Sequence, residues 1–577
     1  MAQDIYDPLE EYEHVFRDRF EQVARDTFAQ LAAEAKVDVE ANRDTCQRLS
    51  EATQKLSSVE SRRSLAIALC LVLWAVVVGG GVAAYLCHGE WETWQLNLDI
   101  TAVVLSVVVL FAKVHPRISN LSDQRDELKG TVDSLTQEAW QQMEPLNRLY
   151  DWDVLTRMMS KTVPRLEFDP YFTTQRLADL SRTYGWDGSF NEQRSVVYSH
   201  SGLINGNPFV LCRTRKMEMG AKTYYGSIVI TWETEETDSE GNTHTVYHSE
   251  TLTASVTAPY PEYYEKTRLI YGNTAAPDLV FHRRQSGLAD KVGSLSFKLK
   301  KRHLKAKARD LSGADYAMLT NDDFEVAFDT SDRNNNQQFA LLFTPLAQNS
   351  MMKLLQDHQV GYGDDFDFDK EKMINTVTPG HMQAIDLDAD PRQYRQYDYD
   401  KAEHDFIETN ARYFRAIYFS LAPLLCVPMY QQIRPAEAIY GHDMPHHSAF
   451  WEHEALANFW GQDHFKAPSC VTNCILKTEE EGHDGDTATI RVYAHGYRVE
   501  QRVSFISKWG GDDQFHDVPV YWDEYLPVTG TGTMQIQEDN TPEDQGQTPH
   551  QRFSHIADVL QKAGLDVYRR HIASSCN

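Results

Sequence analysis

The stretch LAIALCLVLWAVVVGGGVAAYLC, Leu65 to Cys87, contains no charged residue, and as a helix it is long enough to cross a bilayer core of roughly 30 Å. A second apolar run, Leu96 to Ala112, follows the short segment HGEWET and carries one charge, Asp99. Lipid offers no partner to backbone N–H and C=O groups, so two such runs in succession are expected to form a helical hairpin. Arg62 and Arg63 precede the first run, Lys113 and Arg117 follow the second, and the connection has neither Lys nor Arg. The positive-inside rule then places both long ends on the cytoplasmic side, with Trp91 and Trp94 at the outer interface. Mostly polar residues up to Ser64 distinguish the first run from a cleaved signal peptide. Ala75, Gly79 and Ala83, with Gly80 and Ala84 beside them, form a small-residue stripe that admits either the second run or another copy of the chain, the first being simpler. Asp99 lies about one helical turn from the interface, which favours a solvated helix end over a proton relay.

Helical periodicity continues on both sides. Ile118, Leu121, Leu128, Val132, Leu135 and Ala139 recur at three- and four-residue steps, with Arg125 in the seam; Val39, Asn42, Cys46, Leu49, Thr53 and Leu56 keep the same step upstream. Hairpin topology makes these segments antiparallel neighbours, a coiled-coil stalk. Farther upstream Phe16, Phe20, Val23, Thr27 and Leu31 mark an amphipathic helix whose apolar face is expected to dock on the body or on another subunit.

At 577 residues the chain is long enough for several cores. From about Tyr150 the period changes. RSVVYSH, NPFVLCRTRK, TYYGSIVITWETEE and THTVYHSETLTASV are β-branched and aromatic runs broken by Gly, Asn and Asp, as in an antiparallel meander. RLIYG, DLVFH, FEVAFD and QFALLFT read as its continuation. Thr344 and Pro345 open a helix through LAQNSMMKLLQDH. Ala416 to Tyr430 is apolar but short and interrupted by Pro423 and Pro428, which places it in a core and not in a third span. CILKT, TATIRVYAHGYRV, QRVSFISKW and DVPVYWDEYLPV form a second β-rich segment.

The expected fold class is an α+β membrane protein, with a helical stalk and two-helix transmembrane hairpin ahead of a large cytoplasmic body of antiparallel sheets and interspersed helices. In residue terms, amphipathic helices occupy 1–61 and the hairpin 62–117, with spans at about 65–87 and 96–114. A stalk helix covers 118–149, a β-rich domain 150–345, a mostly helical and loop segment 346–467 and the second β-rich segment 468–528. A flexible linker covers 529–549, and a final helix 550–577 carries Phe553, Ile556 and Leu560 on one face.

Within FEVAFDTSDRNNNQQFALLFTP, residues Phe324, Phe328, Asp332, Thr344 and Pro345 resemble the spaced phenylalanines, aspartate and closing Thr-Pro of an uncharacterised bacterial two-span membrane family, the domain of unknown function 3137 group. GLINGNPF and YYGSIVI are looser echoes. The aromatic and arginine positions between the aspartate and the Thr-Pro depart from the family pattern, and the resemblance stops at the helix after Pro345. It implies a bacterial cytoplasmic-membrane location and supplies no activity.

A formal charge of −28 leaves no general positive surface for phosphates, so nucleic acid is not an expected partner. The eight cysteines lack the spacing of a disulfide framework and are expected to be reduced thiols. No G-x-x-x-x-G-K-[ST] or G-x-S-x-G occurs, and HEALA has Ala457 where a zinc-protease helix needs its second histidine. DFDFD from Asp365, DTSDRNNN and DLDAD from Asp386 lack the glycine and closing glutamate of a calcium loop and read as solvated loops.

The densest histidine cluster, GHDMPHHSAFWEHE, spans Gly441 to Glu454. Ser448 is expected to cap a helix through AFWEHEALANFW that Gly461 ends, with Phe450, His453, Ala457 and Trp460 on one packed stripe, while His442, His446 and His447 precede it in a loop. No cofactor is expected. If a metal binds, zinc held by His446, His447, His464 and Cys470 is the candidate set. Against it, Cys470 and Cys474 in SCVTNCILK read as strand residues, which would hold their sulfurs about 13 Å apart. The one basic block, Lys298 to Arg309, holds Lys298, Lys300, Lys301, Arg302, Lys305, Lys307 and Arg309. It suits anionic lipid headgroups, at about 1 kcal/mol per charge, or else pairs with the protein's own carboxylates. The functional expectation is a membrane-tethered cytoplasmic interaction module with a protein partner or a second copy, more readily than an enzyme. A membrane-anchored metal-dependent enzyme and a small transport or channel subunit are the alternatives.

Overall fold

An unbroken helix from Val39 to Cys87 joins the upstream seam to the first apolar run. Helix Thr93–Val109, a π-helical turn Leu110–Val114 and helix His115–Asn147 join the second run to the downstream seam. The computed structural model describes residues 5–87, 92–237, 243–309, 316–432, 447–484, 486–541 and 547–576; Trp91, His442 and His446 lie outside them. The described residues fall into two units. A helical unit lies within Arg25–Asp151 and Pro391–Glu408, and a larger body lies within Met1–Ala24, Trp152–Asp390 and Thr409–Asn577.

In the helical unit the two long helices are antiparallel, as their seams require. Leu49 and Ala52 pack on Leu135, and Val59 and Ala66 on Leu121. Asn42 Nδ2 donates to Gln142 Oε1 at 3.1 Å, and Arg63 Nε to Ser122 Oγ at 2.9 Å. Carried into the apolar region, this spacing covers Leu73, Val77, Gly80, Ala83 and Ala84 in part and leaves Ala75 and Gly79 exposed. Of the expected small-residue stripe, Gly80, Ala83 and Ala84 thus face the contact, while Ala75 and Gly79 do not. A Cβ on Gly80 would come within 2.6 Å of Val103 Cγ2 and 2.9 Å of Asp99 Oδ1, whereas Gly79 has open space. The outward apolar side chains have no protein cover: Leu65, Leu71, Leu86, Leu98 and Leu105 are 63–73% exposed.

The body is α+β and its sheets are antiparallel. The first contains β1 (Leu166–Phe168), β2 (Arg194–Ile204), β3 (Asn207–Thr237), β4 (Thr243–Gly272), β5 (Val280–Arg283), β6 (Phe366–Glu371) and β7 (Ile374–Pro379), in the order β1-β2-β3-β4-β7-β6-β5. The second contains β8 (Ile475–Asp484), β9 (Thr487–Trp509), β10 (Phe515–Glu538), β11 (Val567–Arg569) and β12 (Ile572–Cys576), in the order β11-β12-β10-β9-β8. Asn205 and Gly206, at φ +52° and +76°, make the tight turn between β2 and β3, a conformation this pair adopts readily. Hairpins β3–β4 and β9–β10 extend past the rest of their sheets and pack on each other through Ile230, Leu252, Ala254, Val518 and Val520. Gly226 permits this approach, because a Cβ there would meet the Pro519 carbonyl oxygen at 2.1 Å. On the other face of β9–β10, Trp509 pairs with Phe515 and Val503 with Tyr521, and these four, with Phe505, are exposed.

Helix Phe450–Trp460 lies between the sheets. Leu456 and Ala457 join Ile490, Val492 and Ala494 of β9, while Trp451 and Ala455 join Val196, Val210 and Cys212 of β2 and β3. The upstream amphipathic helix docks on the body, one of its two expected destinations: Phe20 stacks on Phe414 at 4.3 Å, and Tyr12 and Phe16 pack on Tyr418. Residues 416–425 are buried in helix Tyr399–Leu425, as a core reading requires.

Several expectations need correction. FEVAFD and QFALLFT are not strands but helices Asp322–Phe328 and Asn336–Leu342. Asn321 and Asn335 cap them by accepting from the N–H groups of Phe324 and Gln338, and the four-residue spacing stacks Phe324 on Phe328 at 5.1 Å. DFDFD is not a solvated loop but most of β6, with Phe366 and Phe368 buried and Asp367 and Asp369 facing away, a period of two. Residues 529–538 are not linker but the end of β10, paired with β9 and β12. The last helix stops at Ala563, where Gly564 takes φ +67°, and the hairpin β11–β12 follows. Thr344 caps helix Pro345–Gln356 as its sequence implies.

Candidate functional site

The described part of the histidine-rich stretch enters the body beside Thr173, which bridges to Ser448. Ala449, not Ser448, is the N-cap residue of helix Phe450–Trp460, because the serine hydroxyl is engaged elsewhere. Ser448 N and Oγ both donate to Glu538 Oε1 at 2.5 Å. A hydroxyl has one proton to give, so His453 Nε2, 2.8 Å from Ser448 Oγ, acts as the donor in that contact. His447 Nδ1 lies 3.1 Å from Glu538 Oε2.

These groups line a cavity of about 460 Å³ together with Thr174, Glu480, His483 and Asp486, over a floor that includes Ala488 and Ile536. The polarity of the array limits its chemistry. An activated serine gives its proton to histidine, whereas here the serine proton points to Glu538 and histidine is the donor. Ser448 and His453 therefore position the Glu538 carboxylate. His447, with its side chain 60% exposed, is the accessible imidazole of the pair. The arrangement suits reversible binding of a small polar or cationic group better than acyl transfer.

His453 is buried, as its stripe implies, and so is nearly every side chain around it. Glu452 accepts from Arg570 Nη2 at 2.9 Å, Arg569 Nη1 at 3.4 Å, Ser199 Oγ at 3.0 Å and Phe172 N at 3.4 Å. Glu454 accepts from Val196 N at 2.9 Å, Lys477 Nζ at 3.0 Å and Asn191 Nδ2 at 3.0 Å. Burial raises the Glu454 carboxyl pKa against the opposing pull of Lys477. Sequence reasoning missed both glutamates; three consecutive ionisable residues inside an aromatic-rich helix were the available signal.

Burial also holds the imidazoles of His453 and His200 below their usual range. The unfolded chain takes up protons at both sites below about pH 6.5, while the folded body does not. Stability from this source is complete above that pH and is lost as pH falls through it. Thermal unfolding is expected to show the loss setting in as pH falls below about 7 and steepening through about 6.5 toward more acid pH, and the His200→Gln/His453→Gln double variant should flatten the slope. An unchanged slope would assign the acid sensitivity to other groups.

The remaining candidate ligands are dispersed. His464 ends the short turn Gln462–His464, beside the rings of Trp460 and Phe465. The expected strand through Cys470 and Cys474 is instead a turn, β8 starting only at Ile475, and the two sulfurs are 3.7 Å apart. Cys474 N donates to Gln462 Oε1 at 2.6 Å, which holds the turn. Gly496 makes room for it, since a Cβ there would lie 2.4 Å from Cys470 Sγ. Burial, helped by the Cys470 thiol, pushes Cys474 up to about 12, so it remains a protonated thiol at neutral pH. Among the described residues no three His, Cys, Asp or Glu side chains converge on a metal position. His447 meets Glu538 and Cys470 meets Cys474.

The basic block forms helix Leu295–Arg309. Lys300 pairs with Asp329 at 2.7 Å, Lys301 with Asp323 at 3.0 Å and Lys305 with Asp322 at 2.5 Å, and Lys307 donates to the Ser331 carbonyl at 2.6 Å. Lys298, Arg302 and Arg309 make no ion pair among the described residues and face outward.

Comparisons with protein-family models, with curated proteins and with solved structures return no match.

Proposed function

We propose that the chain is a two-span membrane protein whose body serves as an interaction module on the cytoplasmic side. The observation that carries this reading is the pair of apolar helices with their leucines uncovered by protein, since an 18-residue window of each is only 6% and 11% buried. A core helix of a soluble protein would be enclosed. Topology adds a second support. Tyr12, Phe16 and Phe20, ahead of the first apolar run, pack on residues beyond the second, within one unit. Both flanks of the hairpin therefore lie on the same side of any membrane it enters, which requires an even number of crossings. The Arg and Lys flanks make that side cytoplasmic.

The exposed apolar side chains Val503, Phe505, Trp509, Phe515 and Tyr521, on one face of β9–β10 and interrupted there by the Ser507–Asp517 pair, support the interaction role, because exposed aromatic surface on an otherwise acidic protein marks a contact face. Cell fractionation tests the membrane part. The full chain is expected to stay with membranes through alkaline carbonate washing and to be released by detergent, and recovery in the soluble fraction overturns the reading. Affinity capture from detergent-solubilised membranes tests the interaction part. A reproducible partner that is lost from the Trp509→Ser/Phe515→Ser variant is the expected result.

A further inference from the structure

Helix Leu295–Arg309 has two faces of different character. Its inner face presents Phe297, Leu304 and Ala308, which pack with Tyr316 and Val326, and the lysines already paired with Asp322, Asp323 and Asp329. Its outer face presents Leu295, Leu299, Arg302, Ala306 and Arg309, which repeat at three- and four-residue steps and therefore lie along one side, with Lys298 beside them. Leu295 is 75% and Leu299 55% exposed, and Val292 just ahead of the helix is exposed as well.

We infer that this outer face docks on an anionic lipid surface, its leucines entering the headgroup boundary and Lys298, Arg302 and Arg309 meeting lipid phosphates and carboxylates. Charge complementarity selects the occupant: in a chain of net charge −28, this is a cationic face with no internal counterion among the described residues. Basic side chains near an anionic surface are attracted to it, and the exposed Leu295 and Leu299 on the same side add apolar area at the headgroup boundary. The inference rests on the proposed membrane anchoring, which keeps such a surface permanently at hand, so individually weak contacts suffice. It also divides the basic block: Lys300, Lys301, Lys305 and Lys307 serve the fold, and the other three serve the lipid.

The test uses the full chain reconstituted into vesicles of phosphatidylcholine alone or of phosphatidylcholine with phosphatidylserine, with an environment-sensitive fluorescent amino acid replacing Leu299. Emission is expected to shift to the blue, and iodide quenching to fall, only with phosphatidylserine. Each basic side chain near an anionic surface is worth about a fivefold gain in partition. The Lys298→Glu/Arg302→Glu/Arg309→Glu variant should therefore lower the docked-to-free ratio by at least about 100-fold, with body folding checked by an unchanged thermal melt. A phosphatidylserine-dependent shift that survives this charge reversal overturns the inference, as does a probe that is equally wet in both lipids. A probe equally dry in both reports a protein cover, from a partner or a second copy, and also overturns it. Failure of the chain to float with either vesicle removes the membrane anchoring itself, and the inference with it.

Discussion

Glu452→Ala is expected to destabilise the body by about 3–5 kcal/mol, the range found when one member of a buried ion pair is removed. Glu452 is 1% exposed and receives both Arg569 and Arg570, which are equally enclosed. Arg569 retains Asp388 when Glu452 is lost, but among the described residues Arg570 retains only the Ser199 carbonyl as acceptor. The loss falls on a strained place. Arg570 and His571 form the turn of β11–β12 at φ +44° and +59°, a left-handed conformation that costs a residue with a side chain roughly 1 kcal/mol or more. Glu452 also accepts from Phe172 N and Ser199 Oγ, so its removal breaks one link of the helix to β2, while Glu454 keeps another at Val196 N. Denaturant unfolding followed by tryptophan fluorescence should register a large fall in midpoint, because Trp451 is the neighbouring residue. A cost below about 1 kcal/mol would mean that water reaches the arginines.

Glu325→Ala is expected to have an effect of the same size at the opposite end of the first sheet. Arg333 makes a bidentate pair with Glu325, at 2.8 and 2.9 Å, with both side chains at or below 1% exposure. The Tyr316 hydroxyl and Leu319 N–H complete the carboxylate's shell, and the guanidinium lies over the rings of Tyr316 and Phe339. Truncating the glutamate alone leaves a buried cation, at about 3–5 kcal/mol. Replacing both partners by apolar residues of similar volume, Glu325→Leu with Arg333→Met, is expected to recover most of that loss. If the double variant were as unstable as the single one, the pair would be holding the local backbone, and uncompensated charge would not explain the cost.

What could be read from the sequence follows from the range of the interactions involved. The long helices were legible because a 3.5-residue period over many turns has no competing interpretation, and the same period brought Leu49 to Leu135. The long hairpins were legible from β-branched and aromatic runs bounded by turn residues. FEVAFD misled because its composition favours strand, while a single Asn321 side chain and the Phe324–Phe328 stack favour helix. Cys470 and Cys474 misled because the turn between them depends on Gln462 and Gly496, twelve and twenty-two residues from Cys474. Of the cavity groups, His447 and His453 stood out as histidines. Glu538 did not, because it comes from a strand ninety residues away whose end has the Gly-, Asp- and Gln-rich composition of a linker.

The interleaving of the body has a consequence in time. Tyr12, Phe16 and Phe20 are made roughly 400 residues ahead of their partners Phe414 and Tyr418. At typical elongation rates of about 5–20 residues per second, that is a wait of roughly 20 to 80 s, far longer than a helix needs to form. Both apolar runs leave the ribosome within this interval, so in the proposed two-span protein membrane integration would precede closure of the body around this upstream helix. Throughout the wait that helix carries an uncovered aromatic face, a window in which a chaperone or a neighbouring nascent chain can compete for it.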